Sequence, residues 1–415
     1  MKGILVSFMI LIKNGKLPSG NKYDILIHNR QVAMMSKHIP RVLPLRRTFW
    51  ENGRPPALLS IIDATDMIVS PGLVDLHVHF REPGFTYKED ISSGAAAAAA
   101  GGVTSCAFMA NTAPVLDNAE IIRSLSRKIA KASVNCHPIG AVTMRLEGEA
   151  LTDFAALKAV GVVALSDDGL PIRKADVMEN ALRLARDLDM LIISHCEGAG
   201  EFGEAEMAER DIELAKKTGA RLHIAHVSLA ETVDVIRRGK EDGAPVTAEV
   251  CPHHFSLTSD EVEKRGAMAT MSPPLASRRD VDAVIEGLCD GTIDAIATDH
   301  APHSVDEKSR PVGTAPNGII GLETSLGVSL THLYHTKILG ISEIVSLMSR
   351  SPAQILGLNA GRLQVGSPAD IVIFDPNESW IVYANDFRSK ARNTPYNGVI
   401  LKGKVKHTIV AGELV

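Results

Sequence analysis

From Ile68 onward the chain alternates short apolar runs with longer stretches of helical periodicity, and it does so eight times. No other feature constrains the fold as much. A strand–helix repeat of this kind buries its strands in a parallel sheet whose faces are covered by helices. The runs are 68–77, 103–109, 137–142, 161–166, 190–194, 221–225, 245–250 and 294–298, and the helices between them include 118–132, 176–189, 204–218 and 279–289. The Ala95–Ala100 run reads as the first of these helices, stopped by Gly101-Gly102. Alanine is the strongest helix former, and it is small enough to pack closely on a sheet. Eight such units predict an α/β fold, a closed (β/α)8 TIM barrel with its active site at the C-terminal ends of the strands.

The two ends of the chain read differently. Strand candidates such as 9–12 and 23–28 precede the barrel, and 369–374, 380–382, 399–401 and 408–410 follow it, with Gly, Pro and Asn turns between them. The expected division is therefore a barrel of residues 69–360 and one small β-sandwich built from residues 1–68 and 361–415. The stretch 37–58 reads as an irregular loop, and Arg41, Arg46 and Arg47 in it as solvated. The apolar start, Met1–Ile12, is shorter than the roughly 20 residues a membrane span needs. It reads as the first strand of a sheet in a cytoplasmic protein with no membrane partner. Lys and Arg number 44 against 49 Asp and Glu, a net charge of −5, so there is no basic footprint for nucleic acid. The five cysteines, at 106, 136, 196, 251 and 289, form no C-x-x-C pair. They read as buried free thiols rather than as a disulfide framework or a cysteine zinc site.

Polar residues gather where the apolar runs stop. The first run ends in His77-Val78-His79, and alternation in a strand sends i and i+2 to one face. The fourth runs into Asp167-Asp168-Gly169, the fifth into His195, the sixth into His226 and the eighth into Asp299-His300-Ala301-Pro302-His303. In a barrel these ends share one mouth. Four histidines and two carboxylates suffice for two metal ions bridged by one carboxylate and a hydroxide, and neutral imidazole is a common ligand for zinc. Such ions lower the pKa of bound water to near 7 and polarise a carbonyl. Asp299 then takes the hydroxide proton and passes it to a leaving nitrogen, which is machinery for opening or closing an amide. His137, His223, His332 and His335 read as hydrogen-bonded structural histidines, and His253 and His254 in Cys251-Pro-His-His254 either as structural or as supports behind the ligands.

The segments Pro71–Gly84, Ser166–Gly169, Ser194–Glu197, His223–Ser228, Pro252–His254, Ala297–His303 and the closing Gly366–Asp375 resemble the amidohydrolase superfamily, and within it the dihydroorotases of the longer, bacterial type I class. The resemblance implies reversible cyclisation of N-carbamoyl-L-aspartate to (S)-dihydroorotate, a step of pyrimidine synthesis, as the reaction on a small-molecule substrate. It implies one or two Zn2+ per chain, held by His77, His79, Asp168, His195, His226 and Asp299. Asp168 is the implied bridge and Asp299 the acid/base. Arg81 is the implied fork onto the substrate carboxylate, with Asn111, Ser272, His303, Asn317 and Gly318 completing the substrate contacts. Related hydantoinases, dihydropyrimidinases and allantoinases bridge their metals with a carboxylated lysine on the fourth strand. The run 161–166 carries no lysine, which favours the dihydroorotases.

The chain departs from that pattern at Ala110, where the family has proline, and at Ser272, Ala276 and Asn317, where it has asparagine, arginine and phenylalanine. The segment between His195 and His226 is also shorter. These changes spare the expected ligands and fall on the substrate side. A homodimer is the expected assembly, and association with aspartate transcarbamoylase, which some relatives assemble with, is a further expected partnership. A weakly active homologue that scaffolds that enzyme is the reading from a different functional class.

Overall fold

The computed structural model describes residues 8–40, 58–197 and 203–415. Eight parallel strands form one sheet in chain order: Leu73–Val78, Val103–Phe108, Asn135–Gly140, Ala164–Ser166, Ile192–Ser194, Leu222–Ile224, Val246–Val250 and Ala295–Ile296. The two outer strands meet. Val78 bridges to His300, just past the last strand, and the His79 N–H donates to the His300 carbonyl at 2.8 Å. Buried Asp75 ties the same seam by accepting from the Thr298 hydroxyl at 2.6 Å and from the His77 N–H at 3.1 Å. The result is the (β/α)8 barrel. Its strands are buried along nearly their whole length, which is why they read as unbroken apolar runs rather than as alternations.

One expected strand needs correcting. Residues 68–77 are two strands, not one. Ile68–Pro71 pairs antiparallel with Ile371–Ile381 in a separate sheet, and Leu73–Val78 begins the barrel. The chain changes sheet at Gly72, whose N–H donates to the Asp370 carbonyl at 2.9 Å. A Cβ there would lie 2.1 Å from Thr104 Oγ1, so the backbone passes where a side chain cannot. Both halves are buried, and hydropathy alone shows no break between them.

That separate sheet draws Phe8–Lys16, Lys22–His28, Gln31–Ser36, Leu58–Asp63 and Ile68–Pro71 from the front of the chain and Ile371–Ile381, Ile400–Val410 and Glu413–Leu414 from its end. Phe8–Lys16 pairs with Lys22–His28 on an antiparallel ladder and, in parallel, with both Leu58–Asp63 and Ile68–Pro71, so the sheet forks there. Ile10, Ile12, Ile25, Ile27, Val69, Ile371, Ile373 and Ile409 form its core. The candidates 369–374 and 380–382 belong to one long strand, as do 399–401 and 408–410, because register shifts between Ile373 and Ser379 interrupt the alternation without ending the pairing. Gln31–Ser36 and Leu58–Asp63 went unanticipated. Residues 1–7 of the expected first strand and Arg41, Arg46 and Arg47 lie outside the described residues.

The helix Ile91–Ala100 is capped by Asp90, which accepts from the Ser93 N–H at 2.8 Å, and it buries Gly94, Ala95, Ala97 and Ala98. Cys106, Cys136, Cys196 and Cys251 are buried free thiols. Cys289 is exposed, contrary to expectation, because it lies near the end of the helix Arg278–Asp290 on its outer side. Among the described residues no helix is long and apolar enough to cross a membrane.

Candidate active site

His77 is the next-to-last residue of the first barrel strand, and His79, Asp168, His195, His226 and Asp299 follow the first, fourth, fifth, sixth and eighth strands within three residues. All six are buried. His226 (φ 35°) and Asp299 (φ 44°) hold left-handed backbone, as does Arg81 (φ 59°). Such conformations cost a non-glycine residue about 1–3 kcal/mol and persist where the surroundings over-determine them. Of the two adjacent carboxylates, Asp167 faces away, accepting from the N–H groups of Val142 and Thr143 at 2.8 and 3.0 Å. Asp168 faces the mouth.

The six groups converge. Asp168 Oδ1 lies 3.2 Å from His77 Nε2, 3.1 Å from His195 Nδ1 and 3.6 Å from His226 Nε2. Its other oxygen is 3.4 Å from His79 Nε2, which also lies 2.8 Å from Asp299 Oδ1. Three of the rings have their ring proton claimed on the far side. His77 Nδ1 donates to Glu249 at 2.6 Å, His79 Nδ1 to Asn111 Oδ1 at 2.9 Å and His195 Nε2 to Glu197 at 3.1 Å. In neutral rings that leaves the inward nitrogens as bare lone pairs aimed at carboxylates. His77 Nε2 finds no aligned hydrogen-bond partner there, and His226 Nδ1 is likewise buried without one.

Lone pairs facing carboxylates repel unless a cation stands between them, so the donor set fits divalent metal. An oxygen acceptor on the outer nitrogen of each ring is the usual support of a ligating histidine. His77, His79 and Asp168 form one triad and Asp168, His195 and His226 a second, so Asp168 belongs to both. Without an ion, protons take that role. Burial opposes charge on His195, but Asp168 and Glu197 outweigh it and raise the ring to about 9. Burial likewise opposes charge on Asp299, yet the hydrogen bond from His79 and the nearby imidazoles hold it well below the usual carboxylate range.

Beside this cluster lies a cationic wall. Arg81 Nε donates to the Pro302 carbonyl at 3.2 Å, and its guanidinium reaches within 3.5 Å of His303. His303 Nε2 donates to the Asn317 carbonyl at 2.8 Å, while Lys88 donates to its Nδ1 at 3.3 Å. Burial, then the charges of Arg81 and Lys88, push His303 down to about 3, so it is a neutral donor. Gly318 (φ 127°) follows Asn317 in a conformation suited to glycine, with Ala301 Cβ only 2.8 Å from where a Cβ would sit. Ser272 donates its hydroxyl to Glu197, which links the expected substrate side to His195. Asn111 spends its carbonyl on His79.

Glu249 and Glu197 were missed in the sequence. Glu249 is fully buried and touches both His77 and His223, the latter at 3.3 Å. The signal was a carboxylate inside the apolar run 245–250. His335 keeps its structural role, donating to the Pro376 carbonyl at 2.8 Å.

A barrel with paired histidine–carboxylate triads at its mouth defines the class, a metal-dependent hydrolase. Residues 68–415 match the family model described as the amidohydrolase family. The chain is 43% identical to a dihydroorotase of Clostridioides difficile over 98% of its own length and 99% of the relative's. It is 43% identical to one of Caldanaerobacter subterraneus over 98% and 96%. Among solved structures, the L-hydantoinase of Arthrobacter aurescens superposes with a TM-score of 0.86 at 25% identity, covering 98% of this chain and 95% of that one. The chain belongs to the amidohydrolase family, in its dihydroorotase branch.

Proposed function

We propose that the chain is a dihydroorotase, interconverting N-carbamoyl-L-aspartate and (S)-dihydroorotate. The observation that carries this reading is the shared-Asp168 pair of triads standing beside Arg81 and neutral His303. The names of its relatives point the same way. In this reading His77, His79, Asp168, His195, His226 and Asp299 hold one or two zinc ions. Bound there, zinc polarises the ring carbonyl and lowers the pKa of water to near 7.

The chain's own groups do the rest. Arg81 forks onto the substrate carboxylate, with neutral His303 standing beside it. Asp299 accepts a proton from water as the water oxygen adds to the ring amide carbon. It then passes that proton to the ring nitrogen as the C–N bond breaks. In the biosynthetic direction Asp299 takes the proton from the ureido nitrogen as that nitrogen attacks the aspartate side-chain carboxyl, and delivers it to the oxygen that leaves as water. The dihydroorotase resemblance also supports a cytoplasmic homodimer, with aspartate transcarbamoylase as the partner to test.

The deciding experiment follows ring opening of dihydroorotate by purified, zinc-loaded protein, with hydantoin, dihydrouracil and allantoin in parallel. Turnover of dihydroorotate supports the reading. Turnover of another ring instead replaces the substrate, and silence on all four favours the scaffold, checked by adding the transcarbamoylase.

A further inference from the structure

Among the described residues, Lys308 is a buried cation that meets no charge. It ends the short helix Val305–Lys308 and is 3% exposed. Its Nζ donates to the carbonyls of Pro316 and Gly318, both at 3.0 Å, and reaches the Thr270 hydroxyl at 3.3 Å and carbonyl at 3.4 Å. All four partners are neutral. Burial pushes the ammonium down to about 8. Burying an ammonium is expensive unless its donors are satisfied, and a neutral side chain could join carbonyls at lower cost. The charge therefore asks for a reason.

Its position supplies one. The segment 316–318 carries the Asn317 carbonyl that receives the His303 proton, and Thr270 lies two residues before Ser272. The Gly318 N–H also donates to the Thr270 carbonyl at 3.0 Å, so Lys308 sits at the joint between the two segments. The charge of Lys308 acts on His303, as do those of Arg81 and Lys88. Lys88 is balanced by Glu307 at 2.9 Å. Among the described residues, Lys308 is not balanced by any group it touches.

We propose that Lys308 is a positioning residue for substrate: it clamps segment 316–318 to Thr270 and leaves a positive charge behind His303 that favours a carboxylate-bearing ring. This rests on the dihydroorotase reading of the site. No atom of Lys308 need touch the substrate, and its hydrogen bonds go to Thr270, Pro316 and Gly318 rather than to an expected metal ligand, so its loss should act on binding rather than on the chemical step.

The test compares Lys308→Met and Lys308→Gln with wild type as full-length, zinc-loaded protein, by dihydroorotate kinetics and by hydrogen exchange at the amides of 314–319. Lys308→Met is expected to raise KM about tenfold or more with kcat within about threefold, the mark of lost uniform binding. Exchange at Gly318 should rise about tenfold as its local opening becomes easier. Lys308→Gln keeps two N–H donors and loses the charge. It should return exchange to within about threefold of wild type while KM stays raised, separating clamp from charge. Lys308→Met with KM and exchange both unchanged overturns the proposal. If melting shows that Lys308→Met does not fold, Lys308→Gln decides, and an unchanged KM there overturns the role of the charge. Wild type inactive on dihydroorotate sinks the dihydroorotase reading, while the exchange comparison still decides the clamp.

Discussion

At His77 the ring proton goes to Glu249 and the bare lone pair goes to the barrel mouth, so the carboxylate behind the ring sets what the ring can bind. Glu249→Gln should weaken metal binding about 10–100-fold, the usual effect of losing such a partner. A metal titration followed by calorimetry checks this, and unchanged affinity would show that Glu249 only fills space. Asp299→Asn should cut kcat by about 10²–10⁴-fold, the range of positioned acid–base groups. Metal content, read by elemental analysis, should stay near wild type, and an active variant sinks the assignment. The ion-free site also makes a pH prediction. His195 titrates at about 9 there, and only its neutral form can ligate, so metal and proton compete below that pH. Affinity for zinc should rise as pH climbs from 6 toward 9, with protons released on binding at pH 7. Calorimetry in buffers of different ionisation enthalpy counts them, and a count of zero refutes the competition.

At the scale of elements, the fourth, fifth and sixth barrel strands, each followed by an expected ligand, are only three residues long. Each ends in a turn that carries its ligand back over the mouth. Local patterning reaches this far because short apolar runs and the helical period are both properties of neighbours in sequence. It could not see the break at Gly72, since a buried strand of the small sheet leads directly into a buried strand of the barrel. Gly72→Ala puts a methyl against Thr104 and should destabilise the protein by about 1–3 kcal/mol, the range for overpacked cores. Denaturant midpoints with an unchanged slope would measure it. No shift would mean that Thr104 moves aside freely.

For the whole molecule, ion binding and stability are coupled. Asp168 and Asp299 are both buried, each close to His79 Nε2, and a divalent ion bound at this cluster would stabilise only the folded chain. Free zinc at about a thousandfold over its dissociation constant adds about 4 kcal/mol. Chelation should therefore lower the melting temperature, and re-addition should restore it, by scanning calorimetry. A melting temperature indifferent to chelator would argue that the cluster holds no ion. The small sheet is also a whole-molecule feature, since Ile68–Pro71 pairs with Ile371–Ile381 across some 300 residues of intervening barrel.

The sequence by itself determined the barrel, through eight short apolar runs alternating with helical stretches, and it placed six histidines and aspartates at the strand ends, because where a strand stops is written in its own residues. Tertiary structure alone decided which distant groups meet those six. Glu249 reaches His77 across 172 positions and Ser272 reaches Glu197 across 75. Lys308 joins Thr270 to Gly318. Periodicity carries no information about such pairs. Their contacts exist only after the barrel has closed and brought separate strand ends to one mouth.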